Sequence, residues 1–243
     1  TTEADAKAAL LEKLAAKNID VLDSMKVLPD AELVAQGKIY AVTAHSVANI
    51  RYEADYSSEM ATQVLMGTPL KVLEKKSYWY RVITPEGYIA WVTVGSVKTM
   101  NEEEFTAWRG SDRVIVDTHY TLVRDTPNAK GAIISDAVWG NIAQVSSKKI
   151  VNGYQEILLP NGKIGYIPAK DIKPLQKWLD SRNPTPENII NTGKQFLGFP
   201  YLWAGTSIKG LDCSGFVKTS HFLNGIILRR DASQQAKIGQ EID

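Results

Sequence analysis

The chain has 243 residues and a mass of 26.9 kDa, enough for one to three domains that each bury a core. Its composition, 44% hydrophobic and 23% charged, is ordinary for a globular protein. Twenty-eight basic against 27 acidic side chains leave a formal charge of +1, which argues against a broad surface for nucleic acid or anionic membrane.

No apolar run reaches membrane-spanning length, so no membrane span is expected. The chain opens at Thr1 rather than at a methionine, which reads as a processed or trimmed start. A single cysteine, Cys213, excludes an internal disulfide and a cysteine-based metal cluster. His45, His119 and His221 show no metal-type spacing, so neither metal nor cofactor is expected.

Residues 1–37 read as a helical lead-in. Leu10, Leu11 and Leu14 form a stripe at helical spacing within Glu3–Lys17, and a second short helix runs from Asp30 through Gln36 and is closed by Gly37. After Gly37 the texture changes to short β-prone runs, Ile39–Thr43, Gln63–Met66, Leu70–Leu73, Trp79–Ile83 and Tyr88–Val92, mostly separated by Gly, Pro or Ser. Pro85–Val92 is then repeated in residue class by Pro160–Ile167, with Tyr88 facing Lys163 as the clear departure, and Trp79 and Val82 map with the same offset of 75 onto Tyr154 and Ile157. Asn101–Trp108 reads as a helical connector between the copies. The paired hairpins resemble tandem bacterial SH3-like domains. The expected units are two small all-β barrels, one over residues 38–108 with its connector and one over 109–176.

The polar, proline-punctuated stretch Asp180–Pro186 marks a boundary, and Thr185-Pro186-Glu187 opens a helix with Thr185 as its cap. A lone cysteine is by default an inert, buried small hydrophobe. Leu211-Asp212-Cys213-Ser214-Gly215-Phe216 instead places Cys213 where a turn feeds a helix, with Phe216, Val217 and Ser220 on its side. A thiol there sits at the positive end of the helix dipole, which favours the nucleophilic thiolate, and the free backbone N–H groups can stabilise an oxyanion.

Three segments, Leu197–Gly205, Gly210–Phe216 and Asn224–Gln235, resemble in order and spacing the NlpC-type cell-wall cysteine peptidases. With two SH3-like domains the resemblance narrows to the γ-D-glutamyl-L-diamino-acid endopeptidases of the dipeptidyl-peptidase VI type. It implies an α+β, papain-like catalytic domain over residues 177–243, with Cys213 as nucleophile. Tyr201 would lie over the thiol, the alternative being a core aromatic. The partner implied is a murein peptide, L-Ala-γ-D-Glu-diamino acid, with a free amine. Tyr88, Asp212, Ser214 and Asp231 match the substrate-binding positions. Glu59 is a further candidate amine ligand, or an exposed turn carboxylate. Ala232 stands where the family often has serine, a departure at one of the substrate hydrogen bonds that the resemblance implies.

The family's catalytic histidine has no counterpart here. His221, eight residues along the same helix, is about 12 Å from Cys213. The family's antiparallel sheet is also missing after Gln235, so the domain reads as cut, with only its N-terminal half present and a C-terminal segment as missing partner. The chain alone is then expected to be inactive. The competing reading is a non-catalytic cell-wall-binding protein that works through its SH3-like pair. An extracytoplasmic place in a bacterial envelope is favoured, with cytoplasmic recycling as the alternative.

Overall fold

The structure is a computed structural model that describes residues 4–239, and the readings placed on Thr1, Glu3 and Asp243 lie outside them. The lead-in contains α1 (Ala4–Ala16) and α2 (Ala31–Ala35). Leu10 is exposed, and α1 is tied by Lys7 to Asp23 at 2.8 Å and to the Met25 carbonyl. It therefore packs on the later units less than its leucines suggest. The end of α2 follows the sequence: Gly37 and Lys38 donate back to the carbonyls of Val34 and Leu33, with Gly37 at φ +66°, and Leu33 is buried in the core that follows.

The first β unit holds β1 (Tyr40–Thr43), β2 (Val47–Arg51), β3 (Met60–Leu65), β4 (Pro69–Lys76), β5 (Trp79–Ile83), β6 (Ile89–Thr93) and β7 (Val97–Met100). Its antiparallel order is β3-β2-β6-β5-β4-β1-β7. Alternation sets the faces: in β2, Ala48 and Ile50 point into a core with Val72, Val82, Ala90 and Val92, while Asn49 faces out. The connector is α3 (Glu102–Gly110), whose start is fixed reciprocally, because Asn101 accepts from the Glu104 N–H and Glu104 accepts from that of Asn101.

The second unit holds β8 (Arg113–Val116), β9 (Tyr120–Arg124), β10 (Ile133–Val138), β11 (Ile142–Val151), β12 (Tyr154–Leu158), β13 (Ile164–Pro168) and β14 (Ile172–Pro174), in the equivalent order β10-β9-β13-β12-β11-β8-β14. β5 and β6 recur as β12 and β13 at the expected offset of 75, whereas β1, β2 and β3 recur at 73, Tyr40 against Arg113 for instance. The two additional residues lie in β11, ten residues long against eight for β4. No pairing joins β3 to β7, or β10 to β14, among the described residues. In place of the closed barrels expected, the two β-rich units are sheets open in their hydrogen bonding.

The remainder is a mixed α+β region: α4 (Leu175–Asp180), α5 (Pro186–Lys194), the hairpin β15 (Thr206–Ser207) and β16 (Gly210–Leu211), α6 (Cys213–Phe222) and α7 (Ala232–Gln235). Thr185 caps α5 as expected, accepting from the Asn188 N–H. Its core joins Leu175, Trp178, Phe196, Leu211 and Leu223 to Ile115 of β8, so this region is seated on the second sheet. Gln63 of β3 holds it to the first sheet, its side-chain oxygen accepting from Thr206 N–H at 3.0 Å and its carbonyl accepting from the Thr206 hydroxyl. No helix among the described residues is long and apolar enough to cross a membrane.

Candidate active site

Cys213 is exposed and is the first residue of α6. The buried reading of the cysteine is thereby excluded. Asp212, extended at φ −91°, caps the helix by accepting from the Gly215 N–H at 2.6 Å. The helix start is pressed against the preceding turn: a Cβ on Gly215 would fall inside the contact radius of the Gly205 carbonyl oxygen, so glycine is required there. Ala204, held at φ +61°, donates its N–H to Asp212 Oδ2 at 2.9 Å.

Of the three residues placed on the Cys213 side, Ser220 is buried, while Phe216 and Val217 are exposed; Ser214, Gly215 and Thr219 complete the buried face. Small and hydroxyl-bearing residues let the backbone approach α5 and β15; Thr219, for example, donates to the Thr206 carbonyl. Phe216 and Val217 face outward beside Ile190 and Leu197 in an apolar groove between α5 and α6.

Beneath Cys213 lies a buried polar lock centred on Arg230, a residue the sequence reading did not single out. The residue is 2% exposed, and its guanidinium spans three partners: Nη2 to Asp212 Oδ2 at 2.7 Å, Nη1 to Ser214 Oγ at 2.7 Å and Nε to Thr62 Oγ1 at 2.9 Å. Thr62 belongs to β3, so one side chain joins the cysteine turn to the first sheet. Burial works to raise the Asp212 carboxyl, but Arg230 and the N–H groups of Gly215 and Ala204 outweigh it and hold the group below its ordinary value. Asp212 accepts from Arg230, Ala204, Gly215 and the Ser214 hydroxyl, which fills a carboxylate's usual capacity. Gln235 closes the segment, donating to the carbonyls of Ser214 and Arg229.

The other predicted residues are linked to the segments that meet here. Tyr201 is 67% exposed, and its backbone runs beside Leu211 in an isolated parallel bridge, two residues before the cysteine. It is not a core aromatic. Glu59 is exposed and accepts from Trp203 Nε1 at 2.6 Å, a bond from the first unit to the Tyr201–Gly205 turn. Tyr88 is half-buried, its hydroxyl 3.0 Å from that of Tyr52. Burial, the Tyr52 hydroxyl and the nearby Asp231 carboxylate raise the Tyr88 phenol well above its ordinary value, so it remains a neutral hydroxyl. Tyr52 and Trp203 carried no separate signal in the sequence, although Trp203 lies inside the quoted Leu197–Gly205 segment.

The histidines are engaged elsewhere. His45 Nδ1 is 3.2 Å from Ser96 Oγ, His119 packs edge-on against Trp139 and Phe199, and His221 Nδ1 faces the Val217 carbonyl of its own helix.

Residues 46–98 match the bacterial SH3 domain family and residues 198–243 the NlpC/P60 family. The chain is 32% identical over 195 residues to the gamma-D-glutamyl-L-lysine dipeptidyl-peptidase of Bacillus cereus, covering 77% of this chain and 57% of that protein. It is 26% identical to dipeptidyl-peptidase 6 of Lysinibacillus sphaericus, covering 79% and 72%. It thus spans little more than half the length of the first of these. The crystal structure of an NlpC/P60 family protein from Bacillus cereus superposes with a TM-score of 0.71 at 25% identity, over 84% of this chain and 78% of that one. An exposed thiol opening a helix, a buried lock beneath it and an attached β unit that reaches the same turn accord with these matches: the chain belongs to the NlpC/P60 family as a cysteine-peptidase-like protein with an SH3-like accessory domain, related to the γ-D-glutamyl-L-diamino-acid peptidases.

Proposed function

We propose that Cys213 is the nucleophile of a hydrolase that cuts the γ-D-glutamyl-L-diamino-acid bond of murein peptides bearing a free N-terminal L-Ala. The observation that carries this reading is the exposed thiol on the first turn of α6, packed beside a turn that Glu59 of the first unit reaches through Trp203. The relatives' names, which specify a γ-D-glutamyl-L-lysine dipeptidyl-peptidase activity, point the same way. In this reading the units are 1–37, 38–108, 109–176 and 177–243, and the protein works in the bacterial envelope outside the cytoplasmic membrane.

The thiolate attacks the γ-carbonyl carbon, and the backbone N–H groups of the first turn of α6 take up the negative charge on oxygen. The C–N bond then breaks, the diamino acid leaves as an amine carrying one proton, and water hydrolyses the thioester to release L-Ala-γ-D-Glu. Tyr201 borders the reacting carbonyl. An ammonium in a closed cleft needs carboxylate and hydroxyl acceptors, and Asp231, Glu59 and Tyr88 supply them. Asp212 and Ser214, whose side chains are committed to Arg230, serve by fixing the cysteine turn. The proton-transferring imidazole comes, in this reading, from outside the described residues.

The test is release of dipeptide from L-Ala-γ-D-Glu-L-Lys, with and without added imidazole as a substitute base. Release that needs Cys213, is accelerated by imidazole and is abolished by N-acetylating the peptide is the expected result. A second reading, a non-catalytic cell-wall binder, is favoured by the engagement of all three histidines away from Cys213. It predicts no release under any condition and cell-wall binding that is unchanged in Cys213→Ala.

A further inference from the structure

We propose that Lys218 and Arg229 are positioning residues that hold the Thr84–Tyr88 turn, and with it the Tyr88 hydroxyl, at the amine end of the cleft. The inference rests on the reading of Tyr88 as a group that meets the substrate amine.

The turn joins β5 to β6 and has its own internal bonds. Thr84 N–H donates to the Tyr88 carbonyl at 3.0 Å, Gly87 N–H donates to the Thr84 carbonyl at 2.9 Å, and Tyr88 N–H donates to Thr84 Oγ1. These bonds shape the turn but do not fix where it points. Two contacts from the α+β region do so. Lys218 of α6 reaches Glu86 Oε1 at 2.8 Å, with side chains only 15% and 3% exposed. Arg229 Nη1 donates to the Glu86 carbonyl at 2.8 Å and lies 2.7 Å from where a Cβ on Gly87 would be. Gly87 sits at φ +82°, so glycine serves here both the turn and the approach of the guanidinium. The ion pair borders a small crevice of about 70 Å³ lined also by Gln63, Thr206 and Phe222, at the seam between first sheet and α6.

The chain carries its own control. The equivalent turn of the second unit, Leu159–Lys163, has the same two backbone bonds, Leu159 N–H to the Lys163 carbonyl and Gly162 N–H to the Leu159 carbonyl. There the position of Glu86 is taken by Asn161 and that of Tyr88 by Lys163, both exposed, and a Cβ on Gly162 would meet nothing within 4 Å. The same hairpin is thus a solvent turn in one copy and a gripped turn in the other. Only the gripped copy carries the tyrosine.

The grip is continuous with the site. Arg229, Arg230 and Asp231 are consecutive: the first takes the Glu86 carbonyl, the second locks Asp212 and Ser214, and the third lies close to the Tyr88 hydroxyl. Lys218 lies on the helix that begins with Cys213, so the ion pair sets the spacing between thiol and turn. Burial works to raise the Glu86 carboxyl, yet the charge and hydrogen bond of Lys218, with hydrogen bonds from the Glu86 backbone and Thr84, together outweigh it and keep the group below its ordinary value.

The test compares Lys218→Met and Lys218→Arg by amide exchange at Gly87 and Tyr88, with Gly162 and Lys163 as internal reference, and by binding of the dipeptide L-Ala-γ-D-Glu. In K218M, exchange at Gly87 and Tyr88 should rise at least tenfold while the reference turn is unchanged, and dipeptide binding should weaken at least tenfold. K218R should restore most of both. Unchanged exchange at Gly87, or an equal rise in both turns, overturns the proposal. So does faster exchange with dipeptide affinity intact. Faster exchange confined to Gly87 and Tyr88, in a chain whose wild type binds no dipeptide, supports the grip and refutes the reading of the cleft. If K218M does not fold, Glu86→Gln carries the same expectations.

Discussion

Replacing Arg230 by methionine keeps an unbranched side chain of similar length while removing a charge that is 3% exposed. The buried Asp212 carboxylate then loses its cation, and the hydroxyls of Thr62 and Ser214 each lose a partner. Breaking one side of a buried pair costs about 3–5 kcal/mol. At about 2–4 °C per kcal/mol for a chain of this size, the melting transition should fall by roughly 6–20 °C. The pH dependence is sharper than the magnitude. The Asp212 carboxyl is depressed in the wild type, so its contribution is complete above about pH 3.9 and is lost as pH falls through the lower folded value. In the variant burial dominates and the carboxyl rises, so the deficit is largest near neutrality and shrinks as the solution is acidified. Thermal melts of both proteins between pH 3 and pH 8 measure this directly. A neutral-pH loss below about 1 kcal/mol, less than a single buried hydrogen bond to a charged group, refutes the lock. So does a deficit that grows in acid.

Gly215→Ala places a methyl group against the Gly205 carbonyl, where neither backbone can yield without moving the start of α6. A loss of about 1–3 kcal/mol and an altered iodoacetamide alkylation rate at Cys213 are expected, and a fully wild-type melt and rate would show that the contact is not tight. At the junction of all three regions, Asp136 accepts from Ser46 Oγ at 2.7 Å and pairs with Lys209 at 2.7 Å. Burial works to raise the Asp136 carboxyl, but Lys209 and Ser46 outweigh it and the group is held low. The junction should therefore stay closed down to about pH 4 and open below it, as read by amide exchange around Ser46; opening already near pH 6 would contradict the assignment.

The β-rich units were legible because strand chemistry is local. Period-two alternation and Pro-x-Gly turns located β5 to within a residue and exposed the repeat at offset 75. That the sheets stay open was not legible, because closure depends on whether β3 meets β7, and nothing in the alternation of either strand encodes or excludes that pairing. The cysteine turn was legible as a motif, and the buried face of α6 only in part. Ser220 lies inside, but Phe216 and Val217 look like core residues by type, whereas tight backbone approach selected Ser214, Gly215 and Thr219 beside Ser220. Arg230 was passed over for a related reason. An arginine in a polar stretch reads as solvated, and its burial becomes visible only when Thr62, 168 residues away, is brought to it.

Much of the candidate site is thus made by docking: Glu59, Thr62, Gln63, Glu86 and Tyr88 come from the first unit, and Trp203, Asp212, Cys213, Lys218 and Arg230 from the α+β region. A ligand that touches both sides binds only the docked form. It must therefore stabilise docking by RT ln(1 + [L]/Kd), about 2.7 kcal/mol at one hundred times Kd. If L-Ala-γ-D-Glu occupies the cleft, saturating dipeptide should slow exchange in β3, in the Thr84–Tyr88 turn and in the first turn of α6 by a common factor. β11 and β12 of the second unit should be unaffected, since none of the cleft groups lies there. Protection confined to one side would mean that the dipeptide sits on a single unit, and that the first sheet is an attached neighbour rather than a wall of the site.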